Sequence, residues 1–214
     1  MVPCGTRVKG KSLPKPQATP RRSAIVVAAF AVLMERGYAG ASTLEIARRA
    51  KVSKRELYAE FGSKSGILEA LVEATSAEMQ APLAVANVVD RDGLAAALTA
   101  YGSSALSELT SPPVVAINRL AAAEAGRSSD LGKILDQRGR ESNRRALIAL
   151  MAKAQAAGVL RAGDAEMIAG QFFALLMGDL QMRLVLGVAK RPSSREIHQR
   201  AERAAQAVLA LHGA

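Results

Sequence analysis

STLEIARRAKVSKRELYAEFGSK, residues 42–64, reads as two short helices around a tight turn. Ser42 or Thr43 supplies the N-cap of the first. Its apolar positions Leu44, Ile46, Ala47 and Ala50 are expected to face inward, with Glu45, Arg48 and Arg49 toward water. Lys51, Val52 and Ser53 make the turn. Ser53 is a second cap with Glu56 three residues on, the spacing of a capping box. The helix it opens carries Leu57, Tyr58 and Phe61, with Lys54, Arg55 and Glu56 on its exposed face. Two helices this short cannot bury themselves alone, and the amphipathic stretch from Ile25 to Arg36 supplies a third. The expected unit is a helix-turn-helix, the geometry that offers its second helix to the major groove of DNA.

The rest of the chain is compatible with such a unit and excludes several others. In 214 residues, half of them hydrophobic, there is material for a sizeable core. Long segments of 3.6-residue period, rich in Ala and Leu and punctuated by Gly and Pro, predict an all-α fold. The net charge of +10 is uneven. Residues 1–22 hold six Lys or Arg and no Asp or Glu, against seven and six in 23–75 and sixteen and thirteen beyond. Arg7, Lys9, Lys11, Lys15, Arg21 and Arg22, interleaved with prolines, read either as a solvated terminus or as a phosphate-seeking arm. The junction with a helix-turn-helix favours the second reading. Cys4 is the sole cysteine, so no internal disulfide or cysteine metal cluster is expected. The first residues lack the apolar run of an export signal, which predicts a cytoplasmic protein. Ile168 to Val188 is apolar enough to suggest a membrane span, but Gln171, Asp179, Gln181 and Arg183 fall within it. Asp179 and Arg183 can pair at i, i+4, so a buried helix and no membrane partner is the expectation.

The order of parts resembles the TetR family of bacterial transcription regulators. A helix ending in Gly37 and Tyr38 is followed by Thr43, Ile46, Ala47, Val52, Ser53, Leu57, Tyr58, Phe61, Ser63 and Lys64, each at the family's spacing. The resemblance covers about residues 21–75. It implies a basic arm over 1–20, a DNA-binding domain over 21–75 and a ligand-binding and dimerisation domain over 76–214. Thr43, Tyr58 and Lys64 match positions that touch the DNA backbone in relatives. Arg55 is suited to guanine and Glu56 to cytosine, with Lys54 beside them. Arg22, Lys51 and Ser53 complete the candidate DNA contacts. Three departures stand out. Lys51 replaces a common glycine, so it must adopt a left-handed conformation or the turn must differ. Arg55 and Glu56 replace small residues. Ser65 and Gly66 follow Lys64 where an acidic residue is frequent, and Gly66 is expected to weaken that helical turn.

Beyond residue 73 the pattern predicts a helix to about Gln80 and others over 92–109, 113–126, 130–157, 164–187 and 194–211. The last two are the expected homodimer surface, with Ile197, Ala201, Ala204, Ala205, Val208 and Leu211 as a small-residue stripe. The family resemblance implies an effector cavity between the middle helices. Its candidate lining is Tyr101, Asn118, Met151, Gln171, Phe172, Phe173 and Met177, of which Asn118 and Gln171 are favoured because a buried amide needs partners. No phosphate loop, nucleophile elbow or metal spacing occurs, and His198 and His212 lie together near the end. Glu124 with Arg127 and Asp136 with Arg140 read as surface pairs. The expectation is therefore no enzyme, no cofactor and no metal, but a homodimeric, ligand-responsive repressor whose partners are double-stranded DNA and a small molecule. The competing readings are a helical interaction protein with a basic tail, which needs no sequence preference, and a small-molecule carrier.

Overall fold

Thr19 caps the first helix: its hydroxyl accepts the Arg22 N–H at 3.3 Å, and Pro20 occupies the first turn, where no N–H is needed. The computed structural model describes residues 19–214; Cys4 and most of the basic arm lie outside them. Helix α1 (Pro20–Gly40) thus begins before Ile25 and takes Arg21 and Arg22 out of the arm. Its helical path breaks at Gly37, whose φ of 73° suits glycine. Length and composition alone would let α1 cross a membrane. Its buried residues Ile25, Ala28, Ala29 and Val32, however, form a cluster with Ile46, Ala47 and Leu57, as a core helix requires.

Helices α2 (Thr43–Ala50) and α3 (Lys54–Phe61) pack on α1 around that cluster. Ser42, rather than Thr43, is the cap, and Lys51 takes the left-handed conformation at φ 55°, ψ 42°. Leu44 departs from the expectation. It is 66% exposed, because the inward side of so short a helix is filled by Ile46 and Ala47. Arg49 ties α1 to α2, reaching Glu35 at 2.6 Å and Glu45 at 2.8 Å, while Arg48 also bonds Glu45.

Helix α4 (Lys64–Ala84) leaves the small domain and enters the larger one. Gly66 is less a weak point than a requirement there. A Cβ at this position would stand 2.1 Å from the Phe61 carbonyl, and its N–H donates to the Ser63 cap at 3.0 Å. Next come α5 (Arg91–Leu109), α6 (Pro112–Glu124) and α7 (Asp130–Ile134). A wider π-turn (Leu135–Arg140) links α7 without a break to α8 (Glu141–Ala156). The expected helix over 164–187 is two pieces, α9 (Ala165–Met177) and α10 (Leu180–Val185), split at Gly178 with φ 49°. Asp179 and Arg183 do approach, at 3.8 Å. Helix α11 (Ser194–His212) closes the chain.

The small-residue stripe of α11 does not face outward. Ile197, Ala201, Ala204, Ala205 and Val208 are buried in the subunit's own core, mainly against α5. Close approach is used there: a Cβ on Gly102 of α5 would lie 3.0 Å from that of Ala201. Of the stripe, only Leu211 is exposed. Glu124 also differs from expectation. Its Oε1 accepts the Tyr38 N–H at 2.8 Å across the joint between α1 and α6, instead of meeting Arg127. Asp136 and Arg140 do pair.

Gly66→Ala is expected to lower stability by about 1–3 kcal/mol in chemical unfolding, the usual cost of overpacking. Gly126→Ala, with nothing within 4 Å of the added Cβ, should stay within about 0.5 kcal/mol of the parent. Equal stability for the two variants contradicts the close approach at Gly66. The hydrogen bonds from Arg48 and then Arg49 hold the Glu45 carboxyl down at about 2, from an ordinary 4.5. Because the folded value is the lower one, this contribution is complete above pH 4.5 and is lost as pH falls through 2. A carbon-detected titration of Glu45 should show a midpoint near 2; a midpoint at the ordinary value would mean that the bridge is open in solution.

Candidate nucleic-acid interface and internal cavity

The start of α3 is built by local chemistry. Glu56 Oε2 accepts from the Ser53 N–H at 2.8 Å and from its hydroxyl at 2.9 Å, while the Ser53 hydroxyl oxygen receives the Glu56 N–H. This is the anticipated capping box, and it engages the carboxylate that the sequence reading offered to cytosine. The same bonds from Ser53, followed by the charge of Arg21 at 3.2 Å, hold Glu56 below the ordinary carboxylate range. Arg22 is also engaged. Its guanidinium lies 4.4 Å from the Phe61 ring centroid and donates to the Glu60 carbonyl at 3.2 Å. Lys64 donates to the Tyr38 carbonyl at 2.7 Å and sits 4.3 Å over that ring.

What remains for an external partner is compact. Lys51, Ser53, Lys54, Arg55 and Tyr58 are exposed, and the Tyr58 hydroxyl lies 3.2 Å from that of half-buried Thr43. Lys54 stands 5.7 Å from the Tyr58 ring. Among the described residues, Lys51, Lys54 and Arg55 have no carboxylate partner, whereas Arg21, Arg22, Arg48 and Arg49 do. Three cations without a carboxylate partner, Lys51, Lys54 and Arg55, therefore gather at the turn and the opening of α3, where anions and base edges are met in helix-turn-helix proteins; Arg36 and Lys64 lie elsewhere.

The larger domain encloses a cavity of about 860 Å3 between α4, α5, α6, the π-turn, α8 and α9, which also reaches α1. Of the anticipated lining residues, Tyr101, Asn118, Phe173 and Met177 are present. Met151 and Phe172 are fully buried core behind the wall, with the Phe172 ring 6.3 Å from that of Tyr101. Gln171 points elsewhere, to His212 at 2.6 Å. Asn118 is on the wall, but its amide already donates to the Val114 carbonyl at 2.8 Å. Among the described residues, the lining amide without a partner is Gln181, whose buried Oε1 accepts nothing.

Sequence reasoning named Tyr101 but missed its buried partner on this wall, Asn143. Tyr101 donates to Asn143 Oδ1 at 3.3 Å, and Asn143 donates to the Gly139 carbonyl at 3.0 Å. Burial pushes the Tyr101 phenol well above its ordinary value, so it stays a neutral donor. A signal existed: Asn143 interrupts the apolar face that continues through Leu147, Leu150 and Met151 of α8. The α1 wall, Val26, Val27 and Phe30, had none, because nothing local marks an apolar residue as facing a second domain.

A third feature is an exposed apolar tract along α9 and α10 and just beyond, comprising Met167, Leu175, Met182, Leu186 and Val188.

Residues 25–71 match the family of bacterial regulatory proteins of the tetR type, and residues 96–214 match the C-terminal domain of AefR-like transcriptional repressors. A TetR transcriptional regulator from Agrobacterium tumefaciens is 32% identical. The similarity covers 91% of this chain and 95% of that one, with a TM-score of 0.74. The flavonoid-responsive regulator FrrA is 30% identical over 90% of this chain and 97% of its own, with a TM-score of 0.70. The HTH-type transcriptional activator FasR of Mycolicibacterium smegmatis is 39% identical over 71 residues, a third of this chain, and the chain spans 31% of that protein's length. These relatives are transcriptional regulators and not enzymes. With its DNA-binding domain and its larger helical domain both matched, the chain belongs to the TetR family of transcriptional regulators.

Proposed function

We propose that the protein is a homodimeric, effector-responsive repressor that reads a palindromic operator with α3, residues 21–75 serving as the DNA-reading domain and 76–214 as the effector and dimer domain. The observation that carries this reading is the outward presentation of Lys54 and Arg55 on a helix start whose other charges are internally paired. Arg55 is the base reader, by a bidentate contact to guanine. Lys51, Lys54, Thr43 and Tyr58 hold the phosphates and set the register. Ser53 and Glu56 shape the helix start. Lys64 and Arg22 hold the domain in position as built, and can turn to phosphate only by leaving Tyr38 and Phe61.

The second copy is expected to seat on the α9–α10 tract rather than on the α11 stripe, since the exposed apolar side chains are on the former. A dimer places two reading helices one helical turn of DNA apart, about 34 Å. The match to an AefR-like repressor domain supports the repressor sign. The likeness to a flavonoid-responsive regulator supports a small-molecule effector, and the cavity is where it fits. An effector that binds better when the reading heads are wrongly spaced shifts the population off DNA. Operator DNA must then weaken the effector by the same factor. A protein acting on bacterial genomic DNA works in the cytoplasm.

Selection of genomic fragments by the purified full-length protein should recover one palindromic motif, and recovery of none overturns the reading. On that operator, Arg55→Ala should cost about 1–3 kcal/mol of affinity with little change on random DNA, while Lys54→Ala should weaken both and reduce the salt slope by about 1. Equal losses on both DNAs for Arg55→Ala would remove it from base reading. Replacing Leu175 and Met182 together by Glu should yield a monomer in sedimentation velocity; a double variant that still sediments as a dimer places the contact elsewhere.

A further inference from the structure

The cavity is bounded by three apolar clusters that are otherwise separate. Val26 packs on the cluster inside the DNA-reading domain. Val72 and Ile117 belong to the cluster at the joint, which also holds Leu33 and Tyr38. Tyr101, Leu147 and Met177 belong to the core of the larger domain. At the α1 edge, Val27 is 63% exposed and Phe30 half-buried, although both are apolar and both line the cavity. An occupant would give these two side chains the cover that the protein itself does not.

The charges on the wall select against ions. Only Arg140 and Arg144 carry charge among the described lining residues, and each is already neutralised. Arg140 pairs with Asp136, and Arg144 makes two bonds of 2.9 Å to Glu141 and a third to Glu166. With three carboxylates around two guanidiniums, an incoming anion meets no net positive charge, and a cation finds no carboxylate facing the space. Among the described lining residues, the buried polar atom left without a partner is Gln181 Oε1, an acceptor.

From this juxtaposition we infer that the cavity takes an uncharged, mainly apolar molecule bearing a hydrogen-bond donor such as a phenol or an aromatic amine, and that this molecule touches α1 directly at Val27 and Phe30. The inference rests on the effector reading above and deepens it. The effector is then part of the joint itself, in contact with both the DNA-reading domain and the core. Its affinity depends on where α1 stands, which supplies the differential binding that a population shift needs.

The chain has four phenylalanines, at 30, 61, 172 and 173, so full-length protein labelled with 4-fluorophenylalanine reports on α1 and on the far wall in one fluorine spectrum. Phe30→Leu, Phe61→Leu and Phe173→Leu assign the resonances. The probes are N-phenyl-1-naphthylamine, a neutral aromatic amine, and 8-anilinonaphthalene-1-sulfonate, the same skeleton with a sulfonate. The neutral probe should bind at least about tenfold tighter by fluorescence titration, a margin of about 1.4 kcal/mol. It should shift the Phe30 and Phe173 resonances and leave Phe61 in place, and Gln181→Leu should weaken it about fivefold, the scale of one hydrogen bond. Equal or tighter binding of the sulfonate, no binding of the neutral probe, or a moving Phe173 with a silent Phe30 each overturns the inference. Operator selection is independent of all three, so a silent Phe30 in a protein that still recovers one palindrome refutes this inference alone.

Discussion

The backbone of Tyr38 is held at both of its polar groups. Its N–H donates to Glu124 on α6 at 2.8 Å, and its carbonyl accepts from Lys64 at the start of α4 at 2.7 Å. Gly37 makes the first contact possible. Its positive φ kinks α1 there, and a Cβ at this position would stand 2.8 Å from the Glu124 carboxylate. Three helices from two domains thus meet on one residue, and the apolar cluster of Leu33, Leu68, Ile117 and Leu131 closes around it. The placement of α3 relative to the larger domain follows from this grip, because α3 is fixed to α1 and α4 by the small domain's own core. A carboxylate bonded to a partly buried N–H is stronger than a neutral contact and costly to lose. Such a bond fixes α1 against α6 at this joint.

The same geometry explains why the cavity lies where it does. The π-turn widens the helix between α7 and α8 and brings Gly139 against Val72, where an added Cβ would lie 3.3 Å from Cγ1. Widened turns of this kind are frequent at functional sites. On one side the wall runs into Val72 and Ile117 of the joint, on the other into the Tyr101 and Asn143 pair. Cavity and joint share side chains. No long chain of intermediaries is then needed to relate an occupant to α1, and coupling through a shared wall needs only that the wall have two arrangements.

Most of the reading unit was legible in the sequence because its determinants are local. The capping box of Ser53 and Glu56, the left-handed demand on Lys51 and the apolar positions of α3 are relations across a few residues. What failed was non-local. Helical period shows that α11 has a small apolar stripe but not whether α5 or a second copy covers it. An apolar run from 168 to 186 looks like one helix until Gly178 takes a positive φ. Glu124 has a nearby arginine in sequence and a better partner, Tyr38, eighty-six residues away. Of the amides, Asn118 and Gln171 are favoured by sequence, whereas the lining amide whose buried oxygen has no partner among the described residues is Gln181. His212 decides that difference, and it comes from the opposite end of the domain.

The central claim is that α3 is offered to DNA in duplicate. Hydroxyl-radical footprinting of the intact protein on its selected operator tests this most directly. The account predicts two equivalent protected patches related by a two-fold axis, their centres about one helical turn of DNA or a multiple of it apart. A single patch without symmetry, or uniform protection that fades with salt and ignores sequence, would contradict it.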